Sequence, residues 1–191
     1  MKDINVRIAG ALIILGILEF FIFGLLVSEA IYPNFSVANN YISDLGVGTT
    51  APIFNASVII LGIMQVSAAY FIRHGNKTGL FSLLLAISGV GAMGVGTFPE
   101  ASLGNLHLIF SFIAFFFGAL AIISSYPLAS SPFSYLSLFL GAASLAAMVL
   151  FGSGNYLGLG RGGMENMILQ PLLVWGLALG GYLTARSNPH G

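Results

Sequence analysis

The sequence predicts an all-α, polytopic integral membrane protein, with residues 1–191 forming one domain of six transmembrane helices. Hydrophobic residues make up 57% of the chain and charged residues only 6%, with a mean hydropathy of +0.96. A soluble domain of this composition would expose a very large apolar surface to water, so we expect lipid to be the solvent. The apolar residues also fall into six runs of roughly 20 residues, enough to cross about 30 Å of hydrocarbon as a helix.

The six predicted spans are residues 8–30, 53–72, 78–97, 100–126, 133–151 and 164–184. The first run is too long for a signal peptide and lacks a small-residue cleavage site, so we expect a permanent helix. Five of the six Lys and Arg residues lie at one set of helix ends: Lys2, Arg7, Arg73, Lys77 and Arg186. Arg161 lies at the other set. By the positive-inside rule, both termini are predicted to be cytoplasmic.

Charge and cysteine content exclude several classes of function. The formal net charge is zero and no basic stripe occurs, so we expect no binding of nucleic acid. The chain has no Cys, which excludes disulfides, thiolate zinc sites, iron-sulfur clusters and Cys nucleophiles. Any metal would need oxygen and nitrogen ligands, and the sequence identifies no cofactor.

The first long outer connection, residues 32–52, carries apolar residues at helical spacing. This pattern predicts a short helix that lies on the membrane surface, where it would act as a lid. Its apolar positions are Val37, Ala38, Tyr41, Ile42 and Leu45, and the polar residues between them include Asn39, Asn40, Ser43 and Asp44.

The second long outer connection, residues 152–163, is rich in glycine and leaves two interpretations open. One is a flexible linker. The other is an anion nest before the sixth helix, in which backbone N–H groups and Arg161 would bind a lipid phosphate. Glu165, one turn later, argues against an anion.

Two polar residues are predicted to lie deep in the membrane. Glu19 falls near the centre of the first span, where an isolated charge costs at least about 3 kcal/mol, so it should face the bundle. Gln65 is the nearest candidate partner in depth, on the same helix face as Asn55. Glu19 is therefore either a neutral group hydrogen-bonded to Gln65 between helices, or a residue with a proton-relay or substrate role.

The predicted fourth span carries a polar and small stripe formed by Glu100, Gly104, His107, Ser111 and Gly118. Their spacing places them on one inward face. His107 could act as a base or a ligand, or be a hydrogen-bonded structural residue. Glu100 also has the capping-box position in Thr97-Phe-Pro-Glu100, and capping the start of the helix could be its entire role.

Small residues at helical spacing predict close helix contact in the last span. Gly176 and Gly180 form a GxxxG pattern, which favours packing between helices and offers a surface for a homo-oligomer.

Several strings in the chain resemble one known family. They are Asn40-Tyr-Ile-Ser-Asp-Leu-Gly46, Ile53-Phe-Asn55, and Gly96-Thr-Phe-Pro-Glu100 followed by His107. Together they are similar to a widespread prokaryotic family of small six-helix membrane proteins, domain of unknown function 998. The resemblance implies the six-helix fold and a multi-pass protein of the prokaryotic plasma membrane, but it implies no reaction.

Three functional hypotheses follow. The first is a polar site at the outer membrane face for a lipid or small amphiphile, extended to metal-assisted hydrolysis if the site is catalytic. The second is proton- or cation-coupled transport of a small molecule, with Glu19 as the relay. The third is a scaffold without chemistry. The candidate catalytic residues are His107, Asp44 and Glu100, and the candidate ligand-binding residues are Asn40, Ser43, Asn55, Arg161 and Glu165.

Overall fold

The computed structural model describes residues 2–75, 78–102 and 104–185, and every regular element in these ranges is a helix. The α-helices and the π-helix are, in chain order, α1 (Lys2–Glu19), the π-helix (Phe20–Val27), α2 (Ser28–Ile31), α3 (Ala51–Gly75), α4 (Gly79–Thr97), α5 (Leu106–Ser124), α6 (Phe133–Gly152) and α7 (Gly160–Thr184). Six helical segments are long and apolar enough to cross a membrane: Ile4–Ile31, Gly48–Gly75, Gly79–Thr97, Leu106–Ser124, Phe133–Gly152 and Gly160–Thr184. The predicted fold class of six transmembrane helices is therefore confirmed. The cytoplasmic placement of the termini stays a prediction, and two of its basic residues, Lys77 and Arg186, lie outside the described residues.

The six spans pack as a ring in chain order, because each contacts its neighbours in sequence and α7 returns to α1. The ring surrounds a central cavity of about 120 Å³, lined by α1, α3, α4, α5 and α7. We call the end of the bundle away from the termini the distal end. It carries the connections 32–50, 98–105 and 153–159.

Glycines allow the closest helix contacts in this ring. A methyl group at Gly62 on α3 would lie 2.5 Å from the carbonyl oxygen of Gly89 on α4. On α7, Gly176 and Gly180 pack against α1, where a methyl at Gly180 would lie 3.0 Å from the carbonyl oxygen of Gly10. The helix contact predicted from the GxxxG pattern thus lies within the chain, and association of copies stays a prediction.

The first span changes its helical geometry in the membrane. The π-helix begins directly after Glu19, and the Ser28 hydroxyl donates to the Phe23 carbonyl five residues earlier, at 3.0 Å. π-Helical turns are uncommon and occur often at functional sites. Hydrophobic periodicity alone gave no indication of this change.

The connection 32–50, which we call the distal segment, does not form the predicted surface helix. It consists of turns and two 3-10 helices, Ser43–Gly46 and Gly48–Thr50. The Asn40 side chain accepts from the Ser36 N–H at 3.1 Å and the Asp44 carboxylate accepts from the Tyr41 N–H at 3.0 Å. Such local bonds compete with a continuous helix. The segment covers the end of the bundle instead, since Ile42 is buried in it.

The last part of the glycine-rich connection packs against the distal segment, a role that neither the linker nor the anion-nest interpretation predicted. The last helix begins at Gly160, four residues earlier than predicted, and the Gly162 N–H donates to the Ala38 carbonyl at 3.1 Å. A side chain at Gly160 or Gly162 would collide with the backbone of Ala38 or Asn40. The glycines therefore let the distal segment lie directly on the first turn of α7.

Candidate functional site

Five predicted site residues come together at the distal end, and we call them the distal cluster. Two lie on the 3-10 helix of the distal segment, one in the turn after α4, and two near the starts of α5 and α7. They are Ser43, Asp44, Glu100, His107 and Glu165, and their mutual proximity is reflected in their electrostatic interactions.

Glu165 holds the distal segment from another span. Its side chain is only 8% exposed, and its Oε2 accepts from the Ile42 N–H at 2.6 Å. The Ser43 N–H is also within hydrogen-bonding reach of this carboxylate. These N–H groups begin the 3-10 helix Ser43–Gly46 and have no partner in it, so Glu165 caps that helix. Sequence reasoning missed this role, because the two partners are 123 residues apart.

His107 is oriented by a backbone carbonyl that α4 leaves free. Pro99 disfavours helix at the residue before it, and Phe98 accordingly has φ −118° and ends α4. His107 Nδ1 lies 3.0 Å from the Phe98 carbonyl oxygen. A carbonyl only accepts, so Nδ1 donates, and the neutral ring keeps a lone pair on Nε2.

The fourth transmembrane helix begins later than predicted. It starts at Leu106, so His107 lies in its first turn rather than two turns inside it. Glu100 lies in the preceding turn region, six residues before the helix. The capping-box interpretation of Glu100 is therefore wrong.

Glu100 and Asp44 form a carboxyl pair. Asp44 Oδ2 accepts from the Tyr41 N–H and from Asn40 Nδ2, at 3.0 and 3.1 Å. Glu100 is exposed on one side, and the protein on its other side removes enough water to raise the pKa of its carboxyl group. The negative charge of Asp44 raises the pKa of Glu100 further, whereas His107 and a hydrogen bond from Ser43 act in the opposite direction. Glu100 is thus held closer to its neutral form than an isolated glutamate.

The distal cluster lies where two cavities meet. A cleft of about 720 Å³, which we call the lateral cleft, opens between α5 and α6 and ends at Ser43, Glu100, His107 and Glu165. Its other walls are mostly apolar: Leu108, Phe112, Phe115, Phe116, Leu145, Met148, Val149, Phe151 and Ile168. The central cavity shares with it Ser43, His107, Ser111, Phe115 and Glu165.

Three predicted ligand residues line neither cavity and instead hold the distal segment in place. Asn55 Nδ2 donates to the Gly46 carbonyl at 3.0 Å, and the Asn40 side chain bonds within the segment. Arg161 Nε donates to the Asn39 carbonyl, and its guanidinium carbon lies 4.7 Å from the centre of the Tyr41 ring. We therefore assign positioning roles to Asn40, Asn55 and Arg161.

Glu19 and Gln65 do not form the predicted pair. Glu19 lies beside Ser57 on α3 and lines neither cavity, and its Oε2 is buried without a hydrogen-bond partner among the described residues. Gln65 lines the central cavity, and its Oε1 is likewise buried and unpaired within the described part of the chain. The polar route from Glu19 to the distal end that transport would need is thus not formed by these side chains.

The acidic residues of the distal cluster are not arranged as a metal site. Within residues 2–75, 78–102 and 104–185, no group of three or more His, Asp or Glu side chains could hold a metal ion. The arrangement instead offers hydrogen-bonding groups at the polar end of a mostly apolar cleft.

Comparison with known protein families gives a match that covers most of the chain. The model of the family described as "Protein of unknown function (DUF998)" matches residues 14–182. No curated protein and no solved structure matched the chain. The matched region contains the second to fifth spans whole, the first span from residue 14 and the last span to residue 182, together with the whole distal cluster. The protein therefore belongs to the DUF998 family.

Proposed function

We propose that the protein binds a membrane amphiphile in the lateral cleft, with the apolar chain between α5 and α6 and the polar group at the distal cluster. One observation carries this proposal. A single cleft runs from side chains that face lipid to a group of polar side chains at the distal end.

The apolar part of the cleft is suited to a hydrocarbon chain. Leu108, Phe112 and Val149 are 66%, 50% and 72% exposed, which on a transmembrane helix means exposure to lipid. An amphiphile could therefore enter from the membrane without crossing water. The volume of about 720 Å³ is in the range of small-molecule sites.

The polar end supplies few but fixed hydrogen-bonding groups. His107 is oriented by the Phe98 carbonyl, and Ser43 is fixed by the cap that Glu165 provides for its 3-10 helix. Such pre-oriented groups lower the cost of ordering on binding and select the polar part of the ligand.

We propose binding rather than metal-assisted hydrolysis. Hydrolysis of that kind needs a set of metal ligands, and the described residues offer no such group of three. Catalysis by His107, Asp44 and Glu100 stays a prediction, in which His107 Nε2 would accept a proton from a hydroxyl group or water in the cleft.

We further infer that the distal end faces the outside of a prokaryotic plasma membrane, as the distribution of Lys and Arg predicts. The chain has no native Cys, so single-cysteine variants report one position each. Thr49→Cys at the distal end and Ser130→Cys at the other end are both at exposed positions. An impermeant maleimide should label position 49 in intact cells and position 130 only after lysis. The reverse pattern would overturn the orientation.

Lipid that copurifies with the protein provides the test of binding. Native mass spectrometry should show a bound amphiphile on the wild-type protein, and Val149→Trp should remove it by filling the cleft. Val90→Trp is the matched control, because Val90 is 48% exposed on α4 and lines neither cavity. Equal occupancy in both folded variants would contradict the proposal.

A further inference from the structure

We infer that the amphiphile of the lateral cleft carries a cationic amine headgroup rather than a phosphate. This inference rests on the proposed function, because it concerns the polar end of the same cleft. It goes further by naming the charge and the hydrogen-bonding character of the ligand.

The titratable groups around the polar end are mainly acidic, with His107 as their basic neighbour. Glu100 and Glu165 line the cleft, and Asp44 interacts with both of them. Among the described residues that line the two cavities there is no Lys and no Arg. Arg161, the basic residue at this end, is bound to the Asn39 carbonyl and the Tyr41 ring instead.

The acids of this place outweigh their basic neighbour, since His107 lowers the pKa of Glu100 less than lost water and Asp44 raise it. The Glu165 side chain is only 8% exposed, and its carboxylate accepts hydrogen bonds from backbone N–H groups of the distal segment. A buried carboxylate is expensive unless it is paired, and nearby like charges add to that cost. Lost water is the first cause of the raised pKa of Glu100, and the negative charge of Asp44 beside it is the second. An ammonium group would relieve the cost of these negative charges, whereas a phosphate would add to it.

The hydrogen-bonding groups agree with the charges. An ammonium group has three donors and no acceptor. The cleft presents acceptors at its polar end: the Glu100 carboxylate, the Ser43 hydroxyl oxygen and the lone pair on His107 Nε2. The Phe98 carbonyl takes the Nδ1 donor of His107, so in the neutral ring the lone pair is on Nε2. An amine therefore matches both the charge and the donor requirement of the site.

The test uses three probes with one chain length: radiolabelled dodecylamine, dodecanol and dodecyl phosphate, measured on the full-length protein in nanodiscs. Binding that unlabelled probe displaces is counted, with empty nanodiscs subtracted. Dodecylamine should bind at least about tenfold more tightly than dodecanol, because one charge-assisted hydrogen bond contributes that much affinity. Dodecyl phosphate should bind least tightly of the three.

Variants connect this preference to the cluster. Glu100→Gln should reduce the preference for the amine over the alcohol several-fold, and Val149→Trp should remove displaceable binding of all three probes. Glu29→Gln is the matched control, since Glu29 lies on α2 at the same end and lines neither cavity. Thermal unfolding midpoints identify variants that fold, and Glu100→Asp, which keeps the charge, should keep the amine preference.

The outcomes separate this inference from the proposed function. If Val149→Trp removes all binding but the wild-type protein binds the amine and the alcohol equally, or binds the phosphate more tightly, the cationic headgroup is overturned and the cleft is kept. Displaceable binding that Val149→Trp leaves unchanged would overturn the cleft itself. An amine preference that falls equally in Glu29→Gln and Glu100→Gln would show a membrane charge effect and also overturn the inference.

Discussion

Two helix seams of the same ring are built in opposite ways. Between α3 and α4, Gly62 and Gly89 place backbone against backbone along the centre of the seam. Between α5 and α6, close contact occurs at Gly141, which packs on Ile123 near the end of α5 away from the distal cluster. Toward the distal end the seam is lined by Phe and Val side chains instead, and there the lateral cleft opens.

The difference shows how residue size decides between scaffold and site in this bundle. Small residues let helices approach until their backbones touch, which favours packing in lipid where no hydrophobic force acts between helices. Large side chains such as Phe112 and Phe116 keep α6 away from α5 and line the space that results. We call the α3–α4 seam the closed seam and the α5–α6 seam the open seam. Polar residues of the distal cluster occur at the open seam and not at the closed seam.

The largest expected effect concerns the closed seam. Gly62→Ala should destabilise the protein by about 1–3 kcal/mol, because the new methyl meets the Gly89 backbone, which cannot rotate away. Gly181→Ala is the matched control: a methyl there meets nothing within 4 Å. It should stabilise the helix by about 0.5–1 kcal/mol. Unfolding in a mixed detergent series measures both, and equal stability of the two variants would contradict the packing assigned to this seam.

The distal segment should loosen when its cap on α7 is removed. Glu165→Ala removes the acceptor of the Ile42 N–H, and such a hydrogen bond contributes about 0.5–1.5 kcal/mol. Hydrogen exchange of residues 41–46 should therefore accelerate, while exchange within α3 and α4 stays unchanged. Glu29→Ala serves as the control acid at the same end. Unchanged exchange in residues 41–46 would show that Glu165 does not hold the segment.

Two substitutions of His107 should separate its two nitrogen atoms. His107→Asn keeps a donor near the position of Nδ1, so the bond to the Phe98 carbonyl and the stability should be retained while amphiphile binding weakens. His107→Gln places its amide near Nε2 and loses the Phe98 bond, with a cost of about 0.5–1.5 kcal/mol. Identical stability and identical ligand occupancy in both variants would remove His107 from the site.

The smallest effect is a pH dependence at the open seam. The pKa of Glu100 in the folded protein is raised above the ordinary value of 4.5. At a pH between 4.5 and the pKa of the folded protein, the folded state therefore binds more protons than the unfolded state. The free energy of unfolding should therefore fall as pH rises through this interval. Glu100→Gln should flatten that part of the profile. A wild-type profile that rises there relative to Glu100→Gln would contradict the raised pKa.

The spans could be predicted from the sequence because lipid imposes both length and apolar composition on each of them. Helix ends were less predictable. The start of α5 was placed at Glu100, since capping-box spacing resembles a helix start, whereas Pro99 only ends the element before it. The distal segment was predicted as a helix from apolar spacing, and the side chains of Asn40 and Asp44 favoured turns instead.

The candidate site was predictable as a set of residues but not as a shape. Helical spacing predicted Glu100 and His107 on one helix face, which is wrong for Glu100 because it lies in the turn before α5, although the two residues are neighbours. The distribution of charge predicted Glu165 at the same end of the bundle. The cleft depends on how far α5 and α6 diverge beyond Gly141, which no single helix encodes. The contacts of Glu165 with Ile42 and of His107 with Phe98 required the tertiary fold, so the roles of these residues could not be read beforehand.

The central claim is that the open seam selects one amphiphile from the membrane, and photo-crosslinking tests it most directly. Benzoylphenylalanine in place of Phe116 lies in the lateral cleft. In place of Phe139 on α6 it faces bulk lipid, because the Phe139 side chain is 69% exposed and lines neither cavity. After irradiation in native membranes, mass spectrometry of the adducts should show one lipid species strongly enriched at position 116. Adducts at position 139 should match the bulk lipid composition. The same bulk composition at both positions would contradict a selective site.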